Sequence, residues 1–346
     1  NLIDKVIEAA PTMGIDLTCI QKPEQGNKEA DGPNLIFAKN NADVLGKLAN
    51  DEAQVAGATH FFWGREEAFE AVDVLVVDEA GQMSLANVLA VSQAAQMVIM
   101  LGDPQQLEQP TQGTHPDGTG VSALDHLLGG RQTIEPSQGL FLGTTYRLQP
   151  DICAFNSELF YESKLHAVEG CEQQLVQTKS IASGAGLRFQ PVAHSGNTSS
   201  SIEEAAIVKS LVEDILDQGA AWTDRDGVTK PITLEDILII APYNAQVIEI
   251  QKRLPTARVG TVDKFQGQEA PIAIYSMATS SHADAPRGME FLYSGNRFNV
   301  AISRAQCLAI LVASPQVFEA DCQTPRQMQL INAFCRYLEM SQNIET

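Results

Sequence analysis

Cysteine is scarce in this sequence. Its six thiols, Cys19, Cys153, Cys171, Cys307, Cys322 and Cys335, include no CxxC pair and no close Cys/His spacing. That pattern argues against a zinc site or a disulfide framework and for free thiols in a reducing compartment, so a cytoplasmic protein is expected. Basic residues are few as well: 23 Lys and Arg stand against 43 Asp and Glu, a net charge of −20. A generally basic nucleic-acid coat is thereby excluded, as is attachment to an anionic membrane surface. A strand held in a local groove by backbone amides and a few basic side chains is not excluded. No apolar run approaches the length of a membrane span, no charged start leads into an apolar stretch as a secretion signal would, and there is no repeat or low-complexity tract.

What is present is 346 residues, 44% of them hydrophobic, enough for two domains of roughly 150 residues with a core each. Short apolar runs alternate with helical patterns, which predicts an α/β protein with largely parallel sheets. The strand candidates are Leu17–Ile20, Leu35–Ala38, Val55–Ala58, Val72–Val77 and Met97–Leu101 in the first half, then Ile237–Ala241, Ile272–Met277 and Leu308–Ala313. Ser201-Ile-Glu-Glu204 reads as a capping box opening a helix, and a closing helix carries Leu330, Ile331, Phe334 and Leu338. The stretch from Pro110 to Gly120 reads as a long loop, and Gly129–Gly139 as the linker. The chain starts at Asn1 with a helical stripe of Leu2, Ile3, Val6, Ile7 and Ala10 already under way, so a piece of something longer is expected.

Two segments in the first half carry acid and amide chemistry. Val74-Leu-Val-Val-Asp78-Glu79-Ala80 delivers two carboxylates at the C-terminal end of a strand, the edge where open α/β sheets bind ligands. An acid there can hold Mg²⁺ through water, and its neighbour can take a proton from an attacking water. Leu101-Gly102-Asp103-Pro104-Gln105-Gln106-Leu107 follows the next strand, where a tight turn presents Asp103 and the neutral amide of Gln106. Four more segments follow: Thr145-Tyr146-Arg147-Leu148-Gln149-Pro150, Ala241-Pro242-Tyr243-Asn244-Ala245-Gln246, the run from Gly260 to Glu269 (Gly-Thr-Val-Asp-Lys-Phe-Gln-Gly-Gln-Glu), and the run from Asn296 to Ala305 (Asn-Arg-Phe-Asn-Val-Ala-Ile-Ser-Arg-Ala).

Six such segments in this order and spacing resemble superfamily 1 helicases of the group that moves 5′ to 3′ on a strand, over nearly the whole chain. With Ala285-Pro-Arg-Gly-Met-Glu-Phe-Leu-Tyr ahead of it, the last segment looks similar to bacterial members fused to a RecB-like nuclease, which makes a fused or associated nuclease an expected partner. The resemblance implies two RecA-like domains, residues 1–138 and 139–346, that hydrolyse ATP with Mg²⁺ in the cleft between them to move along single-stranded DNA, with RNA as the alternative strand. It assigns Asp78 to the Mg²⁺ through water, Glu79 to the general base, and Gln106 to sensing the γ-phosphate. Arg147 and Arg304 would reach that phosphate, where such a cation is worth ~10³–10⁵ in rate in related systems. Tyr146 would stack on the adenine, Glu269 would bind the ribose with Gly267 close by, and Asp103 would line the nucleotide. Tyr243, Gln246 and Thr261 match segments that face nucleic acid, although Tyr243 could equally pack against the domain edge. His194-Ser195-Gly196-Asn197 reads as a plain polar loop, Ser280–Gly288 as a loop in which neither His282 nor Arg287 gains a role, and Phe61, Phe62 and Trp63 as core residues rather than a stacking face.

One element of that family pattern is not in this sequence. A Gly-rich phosphate loop ends in Gly-Lys-Ser/Thr; the only Gly-Lys pair here is Gly46-Lys47, followed by Leu48, with Asn41 where the leading glycine belongs. The first domain is therefore expected to be incomplete at its N-terminus, and the chain by itself to be inactive as an ATPase. The rival reading is a clamp that binds a strand without hydrolysis.

Overall fold

The structure is a computed structural model that describes residues 2–22, 32–107, 120–180 and 182–344. It divides into two compact units. The first comprises Asn1–Pro104 with Glu108–Gly130, and the second Gln105–Leu107 with Arg131–Thr346. The helix Ala123–Leu128 ends on Gly129, whose φ of +57° an L side chain rarely adopts, and the division falls just beyond, at Gly130, rather than at the expected 138. Side-chain bonding explains the shift. Thr133 donates to Glu162 Oε2 at 2.7 Å and accepts from Lys164 at 2.7 Å, while Gln132 Nε2 donates to the Leu159 carbonyl at 2.7 Å, so the segment 131–138 is stitched to the second unit. The tripeptide Gln105–Leu107 also sorts with the second unit, with Leu107 buried in its core.

In the first unit Cys19–Gln21 pairs in parallel with Leu35–Phe37 on one side and Val55–Gly57 on the other. A separate parallel pair joins Val72–Val77 to Ala95–Met100, with Val74 opposite Met97 and Val76 opposite Ile99. Side chains on a strand alternate between faces. Leu75 and Val77 accordingly enter the core with Val44, Phe62, Trp63, Val88 and Val91, whereas Val74, Val76, Met97 and Ile99 are exposed. Phe62 and Trp63 are core residues in edge-to-face contact at 4.8 Å, and Phe61 is exposed.

The second unit is built on one six-stranded sheet in the order Arg258–Thr261, Ile237–Ala241, Ala270–Ser276, Ala305–Ala313, Gly186–Pro191, Gln342–Asn343, parallel at every pairing. The α/β class and parallel sheets read from the sequence are thus what the chain forms. Burial on both faces requires continuous apolar runs, and the alternation is clean. Leu238, Ile240, Ala273, Tyr275, Ala309 and Leu311 enter one core; Ile237, Ile239, Ile272, Ile274, Leu308 and Ile310 enter the other. The helix Ile202–Asp217, capped by the Ser201 hydroxyl accepting from Glu204 N, packs into the second core, and Pro325–Met340 into the first. The strand Gly186–Pro191 has no apolar run to announce it: Arg188 and Gln190 lie buried, Arg188 with its guanidinium on the carbonyls of Ser183, Ala185 and Leu187. A small antiparallel sheet of Leu175–Gln177, Ala221–Thr223 and Thr229–Pro231 was equally absent from the sequence reading. The loop expected at 110–120 lies, except for Gly120, outside the described residues. Among the described residues no helix is long and apolar enough to cross a membrane.

Candidate nucleotide and nucleic-acid sites

The strand Val72–Val77 releases its chain into a turn that displays Asp78 and Glu79 side by side, both exposed. Glu79 has φ +51°, a left-handed conformation that side chains disfavour. Three bonds hold it there: Asp78 Oδ1 accepts the Glu79 N–H at 3.0 Å, the Glu79 carbonyl accepts the Gln82 N–H at 2.8 Å, and Ala80 N donates to the Leu101 carbonyl at 2.8 Å. The turn lies directly on the loop that follows the neighbouring strand. A Cβ on Gly81 would sit 2.7 Å from the Asp103 carbonyl oxygen, and one on Gly102, at φ +151°, 2.9 Å from Ala80 N. Two glycines are what let the two backbones touch. Asp103 is half-buried beside them.

In the second unit three segments distant in sequence meet. Arg147, after the short strand Thr144–Thr145, forms an ion pair with Glu269, which precedes the strand Ala270–Ser276. Gln306, at the start of the strand Ala305–Ala313, donates to the other Glu269 oxygen at 2.8 Å. The buried Gln174 amide ties the group together by donating to the carbonyls of Arg147 and Gln306 at 2.9 and 3.1 Å. Beside them Tyr146 stands 65% exposed, its ring under the Arg225 guanidinium at 5.5 Å, while Arg225 Nη1 donates to the Tyr146 carbonyl at 3.1 Å. The exposed Gly267, at φ +73°, lies two residues before Glu269. An open aromatic ring, a carboxylate and a guanidinium in one place offer a stacking surface, a hydroxyl acceptor and an anion donor.

Arg304 is placed differently from the expectation. It is 4% exposed and donates from Nη1 to the Gln268 carbonyl at 3.1 Å, while its own carbonyl accepts from Ala270 N. It lies in the connection between the helix Gly295–Ile302 and the strand Ala305–Ala313. Gln106 is half-buried, and its carbonyl accepts from Asn296 Nδ2 at 2.6 Å; Asn299 Nδ2 donates to the Gln105 carbonyl at 2.9 Å.

The nucleic-acid candidates collect at the opposite, C-terminal edge of this sheet, and there Gln246 requires correction. It is fully buried, and both ends of its amide are engaged: Oε1 accepts from Ser201 N at 2.7 Å and Nε2 donates to Ser276 Oγ at 2.9 Å. Ser276 in turn donates to Glu204 Oε2 at 2.6 Å, which also accepts from Ala278 N; Glu204 Oε1 meets His194 Nε2 at 2.9 Å, and His194 Nδ1 meets Ser280 Oγ at 2.7 Å. This wholly internal network joins the ends of three sheet connections, so Gln246 is a structural amide and the His194 loop is anchored rather than free. Tyr243 is also buried, packed on Phe291 at 5.2 Å, so the domain-edge alternative holds for it. Burial pushes its hydroxyl above the ordinary tyrosine range, against the pull of Thr279 and Arg287. Thr261 is half-buried at the end of its strand. Arg287, to which the sequence gives no role, and Arg297, inside the last motif, place their guanidinium groups over the Phe291 ring at 4.7 and 4.8 Å; the composition of one short loop and one helix gives no signal that they converge.

The model of one protein family, AAA_12, described as an AAA domain, matches residues 121–316, more than half of the chain. The chain belongs to that family. Among its relatives are the DNA replication ATP-dependent helicase/nuclease JHS1 of Arabidopsis thaliana, 26% identical over 75% of this chain and 20% of the relative, and the putative helicase mov-10-B.1 of Danio rerio, 28% identical over 87% and 33%. The RNA helicase Mov10l1 of Mus musculus is 28% identical over 71% and 23%. This AAA_12 chain thus carries a superfamily 1 helicase core, as its motifs suggest, and spans about a fifth to a third of the length of these curated relatives.

Proposed function

We propose that this AAA_12 chain is part of an ATP-dependent motor that moves along single-stranded nucleic acid. The observation that carries the reading is the ion pair of Arg147 with Glu269, 122 residues apart in sequence, next to the exposed Tyr146. Tyr146 offers a face to a purine base, Glu269 offers carboxylate oxygens to ribose hydroxyls, and Arg147 offers a guanidinium to the phosphates. Gln306 and Gln174 hold this group in register through the bonds described above.

The first unit carries two acids of its own. Asp78 presents its carboxylate to solvent with one oxygen on the Glu79 N–H, a donor set that fits a hard divalent cation reached through water. Bound there, Mg²⁺ would neutralise phosphate charge. Glu79, held next to it at an unfavourable φ, is placed to accept a proton from water. Gln106 and Asp103 serve the phosphate side. Arg304 serves the same end only after leaving its buried bond to Gln268. Relatives are named as DNA and as RNA helicases, which supports single-stranded nucleic acid as the substrate class without dividing the two.

The 346-residue chain holds no Gly-x-x-x-x-Gly-Lys-Ser/Thr loop, and by itself it is expected to turn over no ATP. Titrating the chain with a fluorescent ATP analogue tests the reading: binding that disappears in Tyr146→Ala and in Glu269→Ala supports it. No binding at millimolar analogue, or binding indifferent to both substitutions, refutes it.

A further inference from the structure

We propose that Arg287 and Arg297, seated on Phe291, form a phosphodiester-binding surface for single-stranded nucleic acid on the second unit. The inference rests on the nucleic-acid reading above and assigns residues that the motif pattern leaves without a role.

Arg287 precedes the short helix Gly288–Leu292, and Arg297 lies in the next helix, Gly295–Ile302. Both guanidinium groups lie over the same ring, within the range of a cation–π contact. Tyr243 packs on that ring at 5.2 Å and is itself buried. The ring is therefore anchored to a buried residue, while Arg287 is exposed and has no carboxylate partner among the described residues. Arg297 shares its charge with one acid, Asp263, at 3.3 Å.

Many cations of the unit are instead held by acids. Arg147, Lys164, Lys209, Lys230, Lys252 and Arg253 each sit within 4 Å of a carboxylate. In a chain of net charge −20 a polyanion needs a local excess of cation, and two guanidinium groups on one aromatic ring with a single acid, Asp263, beside them supply it. A guanidinium seated over a ring still has N–H groups to offer to phosphate oxygens. The position fits as well: Tyr243 follows the strand Ile237–Ala241 and Asp263 follows Arg258–Thr261, so the cluster lies at the C-terminal edge of two neighbouring parallel strands, where such sheets take their ligands.

The test is fluorescence anisotropy of a labelled oligothymidylate titrated with the 346-residue chain over a range of salt. Arg287→Ala is expected to weaken binding several-fold and to flatten the plot of log affinity against log salt by about 0.7, one single-strand phosphate contact. Asp263→Asn, which releases Arg297 from its acid, is expected to tighten binding, and Arg297→Lys, which keeps a charge but loses the planar guanidinium and its several N–H donors, to weaken it. Arg336→Ala, whose guanidinium is engaged by Glu158 and Glu339, is the control and is expected to change nothing. If the unaltered chain binds and Arg287→Ala, Arg297→Lys and Asp263→Asn all match it in affinity and slope, this surface is wrong while the nucleic-acid reading stands. If the unaltered chain shows no salt-dependent binding, both fall together.

Discussion

Glu204 and His194 meet in the interior of the second unit, Oε1 to Nε2 at 2.9 Å, with neither side chain exposed. The other Glu204 oxygen accepts from the Ser276 hydroxyl and the Ala278 N–H. Ala278 sits at φ +66°, so its backbone depends on that acceptor. Glu204→Ala strips partners from three buried donors at once. The expected cost is about 3 kcal/mol, which lowers the melting temperature of a unit of this size by ~6–12 °C. Scanning calorimetry reads it, and a shift below ~2 °C would show that the network is not what holds these loops.

Arg147 and Glu269 behave differently because their pair is more than a third exposed. Solvent screens it, so Arg147→Ala should alter stability by less than about 1 kcal/mol. The same substitution releases the Glu269 carboxylate and should leave adenosine binding intact, whereas Glu269→Ala should abolish it. Equilibrium titration with adenosine separates the two; equal losses in both variants would mean that the ion pair, not the carboxylate, is what matters.

The acidic turn depends on two glycines. A methyl group on Gly81 or Gly102 meets backbone atoms under 3 Å away, which cannot yield as a flexible side chain would. Gly81→Ala and Gly102→Ala should each destabilise the first unit by more than about 1 kcal/mol, Gly102→Ala the more because its φ also disfavours a side chain. Chemical denaturation followed by the intrinsic fluorescence of Trp63, which lies in that unit's core, provides the measurement.

Acid should loosen the seam at Arg131–Gln138. Hydrogen bonds from Lys164 and Thr133 hold the Glu162 carboxyl down at about 2. A carboxylate depressed on folding contributes stability that is in full force above its ordinary value near 4.5 and is lost as pH falls towards 2. Hydrogen exchange of the segment 131–138 should therefore accelerate between pH 4.5 and 2, relative to other amides, and Glu162→Gln should show that faster exchange already at neutral pH.

The sheet of the second unit was legible because Ile237–Ala241, Ile272–Met277 and Leu308–Ala313 are apolar at every position, as burial on two faces demands. Gly186–Pro191 escaped notice because it buries Arg188 and Gln190 on local carbonyl partners, which no period announces. Within the site, Arg147 and Glu269, which the motif resemblance singles out together with Tyr146, form an ion pair. Gln246 departs from the motif's expectation because its fate depends on Ser201 and Ser276, distant in sequence, and an amide that completes an internal network has the same letters as one that greets a ligand. The pairing of Arg287 with Arg297 is a fact of tertiary structure alone, since ten residues and a helix boundary separate them.

The strand Ala270–Ser276 has Glu269 at its head and the Glu204-bound Ser276 at its foot, about 20 Å away at the usual rise of an extended chain. Every residue between is buried, with a neighbouring strand on either side. Such a strut cannot bow without tearing its ladder, so it neither stretches nor absorbs. Whatever happens at one end is felt at the other only when the unit turns as a solid piece or its end-loops rearrange, and mutations sought as breaks in communication belong in those loops and not along the strut.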